Sequence, residues 1–460
     1  MEMISMLDLL ESCLAKTLAD HAEMRSPRRE AFSVSVKDGK VESVSNGVNH
    51  GVCARILFEG SWGFSSTTVL NRQKLFRLLK DAAALARSSK PRKNRLATIA
   101  EAHPHVDSYE SPMKRDPKDE SLDFLVEQAL EADNEARKFS SSVISDTIQL
   151  AVVDDELDFV SSEGAKISQR IVRCFGGAFV VARANGKITS IYESIGSQAG
   201  LEVFSETPIL NAAHESAERA VRLASKKVVP GGYYDVVLED CIVGILAHEA
   251  IGHTAEADLV HSGSFLAGKI GQKIAAENIT LVDDGNFPAG FGTMKYDDEG
   301  TPTEKTTIIE EGVVKGFMHS RETALQFGVS PTGNARAWSF EYDPIIRMRN
   351  TYIEPRDMAF EELLEDVKDG YFLVGAGDGQ ADSNGEFMFG TQEAVRIENG
   401  ELKESYRGAT ISGNAFEVLK NVSGVGKKIK LIVGMCGKEQ NNYVGTGGPH
   451  LRTKVLVGGQ

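Results

Sequence analysis

The chain has 460 residues, 41% hydrophobic and 25% charged, with a mean hydropathy of −0.21 and a formal net charge of −15. That length exceeds what one hydrophobic core holds, so two or three domains are expected. The acidic balance works against nucleic acid or an anionic membrane as partner, because the electrostatic term driving such binding is repulsive, and no run approaches the ~20 apolar residues that cross a bilayer.

The first stretch, MEMISMLDLLESCLAKTLADHAEM, carries acids throughout and lacks a basic leader. It is predicted to be an amphipathic helix of the folded protein and not a signal peptide. A strand meander follows. Phe32, Val34 and Val36 alternate with polar residues before a turn at Asp38-Gly39, and Val52, Ala54, Ile56 and Phe58 alternate before Glu59-Gly60. From Asn71 to Ser89 the apolar residues Leu75, Phe76, Leu78 and Leu79 fall at helical spacing behind an Asn suited to capping. Residues 90–120 lose periodicity, with Pro91, Pro104, Pro112 and Pro117 marking a linker. Its basic cluster, Lys90 to Arg95, is expected to be solvated loop.

The same order then recurs: a helix (121–138), alternating strands with turns at Glu163-Gly164 and Asn185-Gly186, and a closing helix (211–225). Pro230-Gly231-Gly232 opens a glycine-rich region with a strand at Tyr233 to Leu238. The expected organisation is an N-terminal subdomain (1–89), a linker (90–120), a central subdomain (121–227) and a C-terminal domain (228–460). Antiparallel meanders with segregated helices argue an α+β fold: antiparallel sheet plus helix in the N-terminal parts, then a β-dominated domain around one helix.

That helix contains HEAIGH, residues 248–253. Asp240 is its expected N-cap, and Ile242, Ile245 and Leu246 supply an apolar face. In a regular α-helix, residues five apart point ~140° away from each other, so His248 and His253 could not share a metal ion. The common H-E-x-x-H spacing brings the rings within ~40°. A π-type turn, closed by an i→i+5 hydrogen bond, absorbs the extra residue, and Gly252 eases unusual backbone at that point. Spacing alone leaves open the alternative of two histidines satisfied by neighbouring acids without a metal.

The surrounding sequence adds a second line. LAHEAIGHTAEAD, SGSFLAGKIGQKIAAENITLVDDG, YDDEGTP, PTGNARAW, PIIRMRNTY, FGTQEAVRIENGEL, RGATISGN and GMCGKEQNNYVGTGGPHLR closely resemble the TldD/PmbA family of cytoplasmic metallopeptidases. GVCARILFEGSWGFSST and PGGYYDVVL upstream are similar to family segments as well. Within that family the TldD-type subunit carries H-E-x-x-x-H and the PmbA (TldE) type lacks it. With His248, Glu249 and His253 intact, this chain resembles the catalytic type. The resemblance implies a third ligand in the CGK segment, here Cys436, and a Zn²⁺ ion. It also implies unfolded peptides as substrate and pairing with a PmbA/TldE-type subunit or a second copy. The stretch EQNNYVGTGGPH departs from the glycine run, with shorter side chains, of related chains, which bears on substrate contacts and not on the ligand set.

Two imidazoles and a thiolate suit Zn²⁺, leaving a fourth position for water whose pKa the ion lowers. Glu249, next to the first ligand, is placed to take that proton and pass it to the leaving amine. The rivals to Cys436 as third ligand are His261 and His450, the latter also suited to line the cleft. His319 is expected to be structural, and Cys13, Cys53, Cys174 and Cys241 to be inert thiols, consistent with a reducing cytoplasm. Asp297, Asp298 and Glu299 are expected in a solvated turn. GTGGP lacks the ending of a phosphate loop; its glycines are expected to let an extended substrate backbone approach, adding as a strand to a sheet edge. The competing reading is a non-catalytic peptide-binding or partner subunit, for which Glu249 would have no use.

Overall fold

The alternation at Phe32, Val34 and Val36 belongs to a longer strand, His21–Lys37, with all three side chains in the core. The computed structural model describes residues 5–15, 17–89 and 96–459. The first helix runs Met6–Leu14 and stops well short of Met24; His21 to Met24 already belong to the strand. These four are buried on both sheet faces, which removes the two-residue periodicity that would have marked them as strand. Residues 1–4, Lys16 and the basic cluster 90–95 lie outside the described residues. The remainder of the expected linker is not all irregular: Val106–Glu110 forms a strand parallel to Lys166–Ala184.

One sheet runs through both N-terminal segments. Its path is Ser61–Thr67, Val52–Phe58, His21–Lys37, Val143–Ser161, Lys166–Ala184, Val106–Glu110, with Lys40–His50 beside the third strand and Lys187–Ser197 beside the fifth. Register pairs Met24 with Val160 and Val34 with Leu150. At about 3.3 Å per residue, the 17-residue strand His21–Lys37 spans roughly 55 Å, long enough to carry two helix pairs. Met6–Leu14 and Arg72–Ser89 cover one part through Leu10, Leu75, Leu78 and Leu79. Phe124–Phe139 and Ile209–Ala224 cover another through Leu125, Ala129, Ala213 and Ala217. Asn71 caps its helix as expected, its Oδ1 accepting from Lys74 N at 3.0 Å. The Asp38-Gly39 turn has φ of 49° and 81°, as a two-residue hairpin with matching twist requires.

Among the described residues the C-terminal half holds a two-stranded sheet, Ala335–Arg336 with Ile345–Ile346, and two large sheets. In one, Gly232–Leu238, Leu451–Gly459, Ala409–Asn414, Glu386–Glu398 and Asp369–Ala381 pair in a ring, since the last two also pair with each other. In the other, Asn350–Ile353 runs parallel to Asn442–Gly448, and Lys430–Cys436 forms an edge. The helix bearing HEAIGH packs between them, burying Ile242, Val243, Leu246, Ala247, Ala250 and Ile251 in the largest core. The α+β expectation holds.

The two halves are locked by buried charge, which corrects the solvated-turn expectation. Asp297, Asp298 and Glu299 are all buried. Asp298 pairs with Arg25 at 2.9 Å and Glu299 with Arg55 at 2.7 Å, both arginines standing on the N-terminal sheet. Asp297 accepts from the backbone N–H groups of Glu299, Thr301 and Ala335.

Candidate metal centre

Glu239, and not Asp240, occupies the N-cap, without a side-chain cap bond. The helix is α-helical over Asp240–Ile245, π-helical over Leu246–Gly252 and tightens to a 3₁₀ turn at His253–Ala255. The wide turn demanded by the histidine spacing is thus present, and it spans seven residues. It brings the rings of His248 and His253 to 5.2 Å between centroids, at 78° to each other.

Gly252 plays a different part from the one expected. Its φ of −57° and ψ of −48° are ordinary helical values, so no conformational freedom is needed. A Cβ there would overlap Met348 Sδ. Close packing explains the glycine. The glycines of GTGGP are likewise buried under the helix and not offered to a substrate: a Cβ at Gly448 would meet Val243 at 2.7 Å, and one at Gly447 would overlap Lys430 O.

Cys436 ends the edge strand, and its Sγ lies 3.3 Å from His253 Nε2. One ligand atom from each of His248, Glu249, His253 and Cys436 falls within 4.8 Å of the others. The His248 side chain is 2% exposed, yet neither ring nitrogen has a hydrogen-bond partner among the described residues. A buried ring left unpaired is costly, and a cation held with His253 and Cys436 removes that cost, so the donor set fits a metal ion.

Electrostatics point the same way. Burial pushes the Cys436 thiol up, but the adjacent His248 and His253 rings outweigh it and bring its pKa down to about 3. Burial disfavours a charged His253, but Cys436 and Glu256 overcome this and raise it to about 10. Both shifts favour the thiolate, the form that ligates metals, with the proton on His253, where a bound cation would displace it.

Glu249 is 40% exposed, with its carboxylate oxygens 3.9 Å from His248 Nε2 and 3.8 Å from His253 Nε2. It faces an open pocket walled by Leu259, Met435, Gly437 and Lys438. Two further groups support the ligands: Glu256, one of the neighbouring acids (Glu249, Glu256, Asp258) that the sequence offers as partners of the histidines, and Lys438, which sequence reasoning misses. Glu256, fully buried, accepts from His253 Nδ1 at 2.8 Å, which turns Nε2 toward the cluster. Lys438 reaches Glu256 at 3.1 Å and Asp258 at 2.7 Å, tying the Cys436 segment to the histidine helix. Their sequence signals are weak: an acid three residues after His253, and the lysine of CGK.

The rival ligands stand elsewhere. His450 packs against Phe360 and Phe372, with centroids at 5.1 and 5.6 Å, and His261 is not among the clustered groups. His319 is buried, donating to or accepting from Thr323, and burial lowers its pKa to about 4. Cys241 Sγ contacts Glu239 at 3.3 Å, and burial pushes its thiol up, away from reactivity.

Family models match in three segments: PmbA/TldA metallopeptidase domain 1 at residues 22–86, the central domain at 115–225 and the C-terminal domain at 231–459. A metalloprotease of Methanocaldococcus jannaschii is 36% identical over 443 residues, covering 96% of this chain and 97% of that protein. A zinc metalloprotease TldD homolog of Saccharolobus solfataricus is 30% identical over 448 residues, covering 96% and 97%. Among solved structures, TldE from Thermococcus kodakarensis superposes with a TM-score of 0.80 at 22% identity, covering 98% of this chain and all of that one. Motif, fold and relatives agree that the chain belongs to the PmbA/TldD metallopeptidase family.

Proposed function

We propose that the chain is a zinc-dependent metallopeptidase of the TldD type, cleaving unfolded or extended peptides. The observation that carries this reading is the convergence of His248, His253 and the Cys436 thiolate beside an open-facing Glu249. His248 Nε2, His253 Nε2 and Cys436 Sγ would hold the ion. When bound, zinc supplies Lewis acidity and a water acidic enough to attack a carbonyl near neutral pH.

Glu249 is the general base and acid. Half exposed at the pocket mouth, it takes a proton from the attacking water and delivers it to the leaving amine. Glu256 holds the His253 ring in one tautomer, and Lys438 balances the Glu256 charge. Among the described residues the strand Lys430–Cys436 pairs on one side only, with Asn442–Gly448. Its other edge offers main-chain groups to an extended peptide, a mode of recognition closed to folded chains. No described helix is long and apolar enough to cross a membrane; we assign the protein to the cytoplasm, paired with a PmbA/TldE-type subunit or a second copy of itself.

The test is cleavage of a disordered peptide by wild type and by Glu249→Gln. Loss of cleavage with zinc retained supports a catalytic subunit. Equal turnover by the variant would remove Glu249 from the reaction, and no cleavage by zinc-loaded wild type, alone or with its partner, favours the non-catalytic peptide-binding reading.

A further inference from the structure

Away from the metal cluster, a cavity of about 80 Å³ lies between the N-terminal sheet and the C-terminal half, several times the volume one water molecule needs. Four guanidinium groups line it, those of Arg28, Arg29, Arg173 and Arg336, against the carboxylates of Asp155, Glu156 and Asp298.

The acids are already committed. Asp155 accepts from Arg29 at 2.6 and 3.2 Å and from Arg173 at 2.9 Å. Glu156 stands near Arg28 and Lys118. Asp298 serves Arg25 and the Ala337 N–H. Arg336 is left over. Its side chain is buried, Nη1 donates to Met348 O at 2.6 Å, and no carboxylate among the described residues lies within ion-pair distance. Burial, reinforced by Arg173, Arg347 and Arg349 and only partly opposed by Asp298, depresses its pKa to about 9, the direction of an under-compensated cation. A second donor shares the cavity: Asn442 is 4% exposed, and its Nδ2 has no acceptor among the described residues. Trp338 and Tyr443 supply an apolar wall, with Arg29 stacked 3.8 Å over the Trp338 ring.

We propose that this cavity is a carboxylate-binding site, in which Arg336 supplies the charge, Asn442 Nδ2 a hydrogen bond and the aromatic wall a seat for an apolar substituent. A buried guanidinium without an acid and a buried amide without an acceptor both want an anion. Either a free small acid or the C-terminal carboxylate of a peptide supplies that chemistry. The site stands independently of the metal reading. Asn442 is the register partner of Cys436 across the ladder, which places the site one strand away from the thiolate.

The test is titration calorimetry of the full chain with three probes: sodium acetate, the tripeptide Gly-Gly-Phe, and its C-terminal amide. The peptide arms use Glu249→Gln so that substrate turnover adds no heat. We expect a carboxylate probe to bind and the amide not to bind. Binding of acetate alone assigns the site to free small acids; binding of Gly-Gly-Phe alone assigns it to chain ends, and binding of both to carboxylates from either source. Arg336→Met should abolish the signal and Asn442→Ala should weaken it about 10-fold or more, the cost of one charge-assisted hydrogen bond. Should Arg336→Met fail to fold, the asparagine variant decides. Absence of carboxylate binding by wild type, equal binding of acid and amide, or unchanged affinity in Asn442→Ala would overturn the proposal.

Discussion

Gly244→Ala tests how the fold sets the metal cluster. Gly244 lies one turn before His248, where the helix crosses the strand Asn442–Gly448. An added Cβ would stand 2.5 Å from Gly447 N, 2.7 Å from Gly447 Cα and 2.8 Å from the Thr446 carbonyl carbon. These are backbone atoms of a paired strand and cannot swing aside. Restoring an ordinary 3.4 Å contact requires the helix and strand to part by about 0.9 Å. The strand is hydrogen-bonded to Lys430–Cys436, so that parting separates the histidines from the Cys436 sulfur, now 3.3 Å from His253. Overpacking of this kind costs about 1–3 kcal/mol of stability, and a ligand displaced by most of an ångström should weaken metal binding by at least about 10-fold, in line with losses from disturbed supporting groups. The assay is zinc competition against a chromophoric chelator, with thermal unfolding in parallel. Gly47→Ala, where a Cβ meets nothing within 4 Å, is the control. If Gly244→Ala matches the control in both zinc affinity and Tm, the helix position does not set the cluster as argued.

Glu256→Gln weakens the acceptor that orients His253; zinc affinity should drop about 10- to 100-fold by the same competition, with native circular dichroism retained. Glu299→Gln removes the shortest of the carboxylate contacts to buried Arg55, leaving Glu23 at 3.5 Å and Asp343 at 3.4 Å, and urea unfolding should show a loss of about 1–3 kcal/mol; a change below about 1 kcal/mol would mean the charge lock between the halves is weak. Asp146 is buried, with its pKa pushed up to about 8 first by burial and then by Asp133. Because the native state holds a proton that the unfolded state releases above pH 3.8, wild-type stability should fall as pH rises from about 4 to about 8. The Tm advantage of Asp146→Asn should therefore grow across that window and level off above it; a constant difference from pH 4 to 9 would refute the shift.

The sequence made the histidine pair legible because a five-residue spacing admits only one shared-metal solution, the wide turn found at Leu246–Gly252. It could not give the reason for Gly252, because Met348, which fills the space, is distant in the chain. Asp297, Asp298 and Glu299 resembled a solvated turn for a similar cause: their partners Arg25 and Arg55 lie 273 and 244 residues from Asp298 and Glu299. Cys436 entered through family resemblance, since a lone cysteine on an edge strand carries no spacing signal. Strands that run into a turn pair, such as 32–36 before Asp38-Gly39 and 52–58 before Glu59-Gly60, are plain in the sequence; His21 to Met24, buried on both faces and without such a marker, are hidden inside a helical-looking stretch.

The central claim is that His248, His253 and Cys436 share one zinc ion. X-ray absorption at the zinc edge of the purified, metal-loaded chain measures this directly. The account predicts one zinc per chain with a single sulfur neighbour at about 2.3 Å and nitrogen or oxygen neighbours near 2.0–2.1 Å, the sulfur contribution vanishing in Cys436→Ser. A spectrum without sulfur, or one unchanged in that variant, would contradict it.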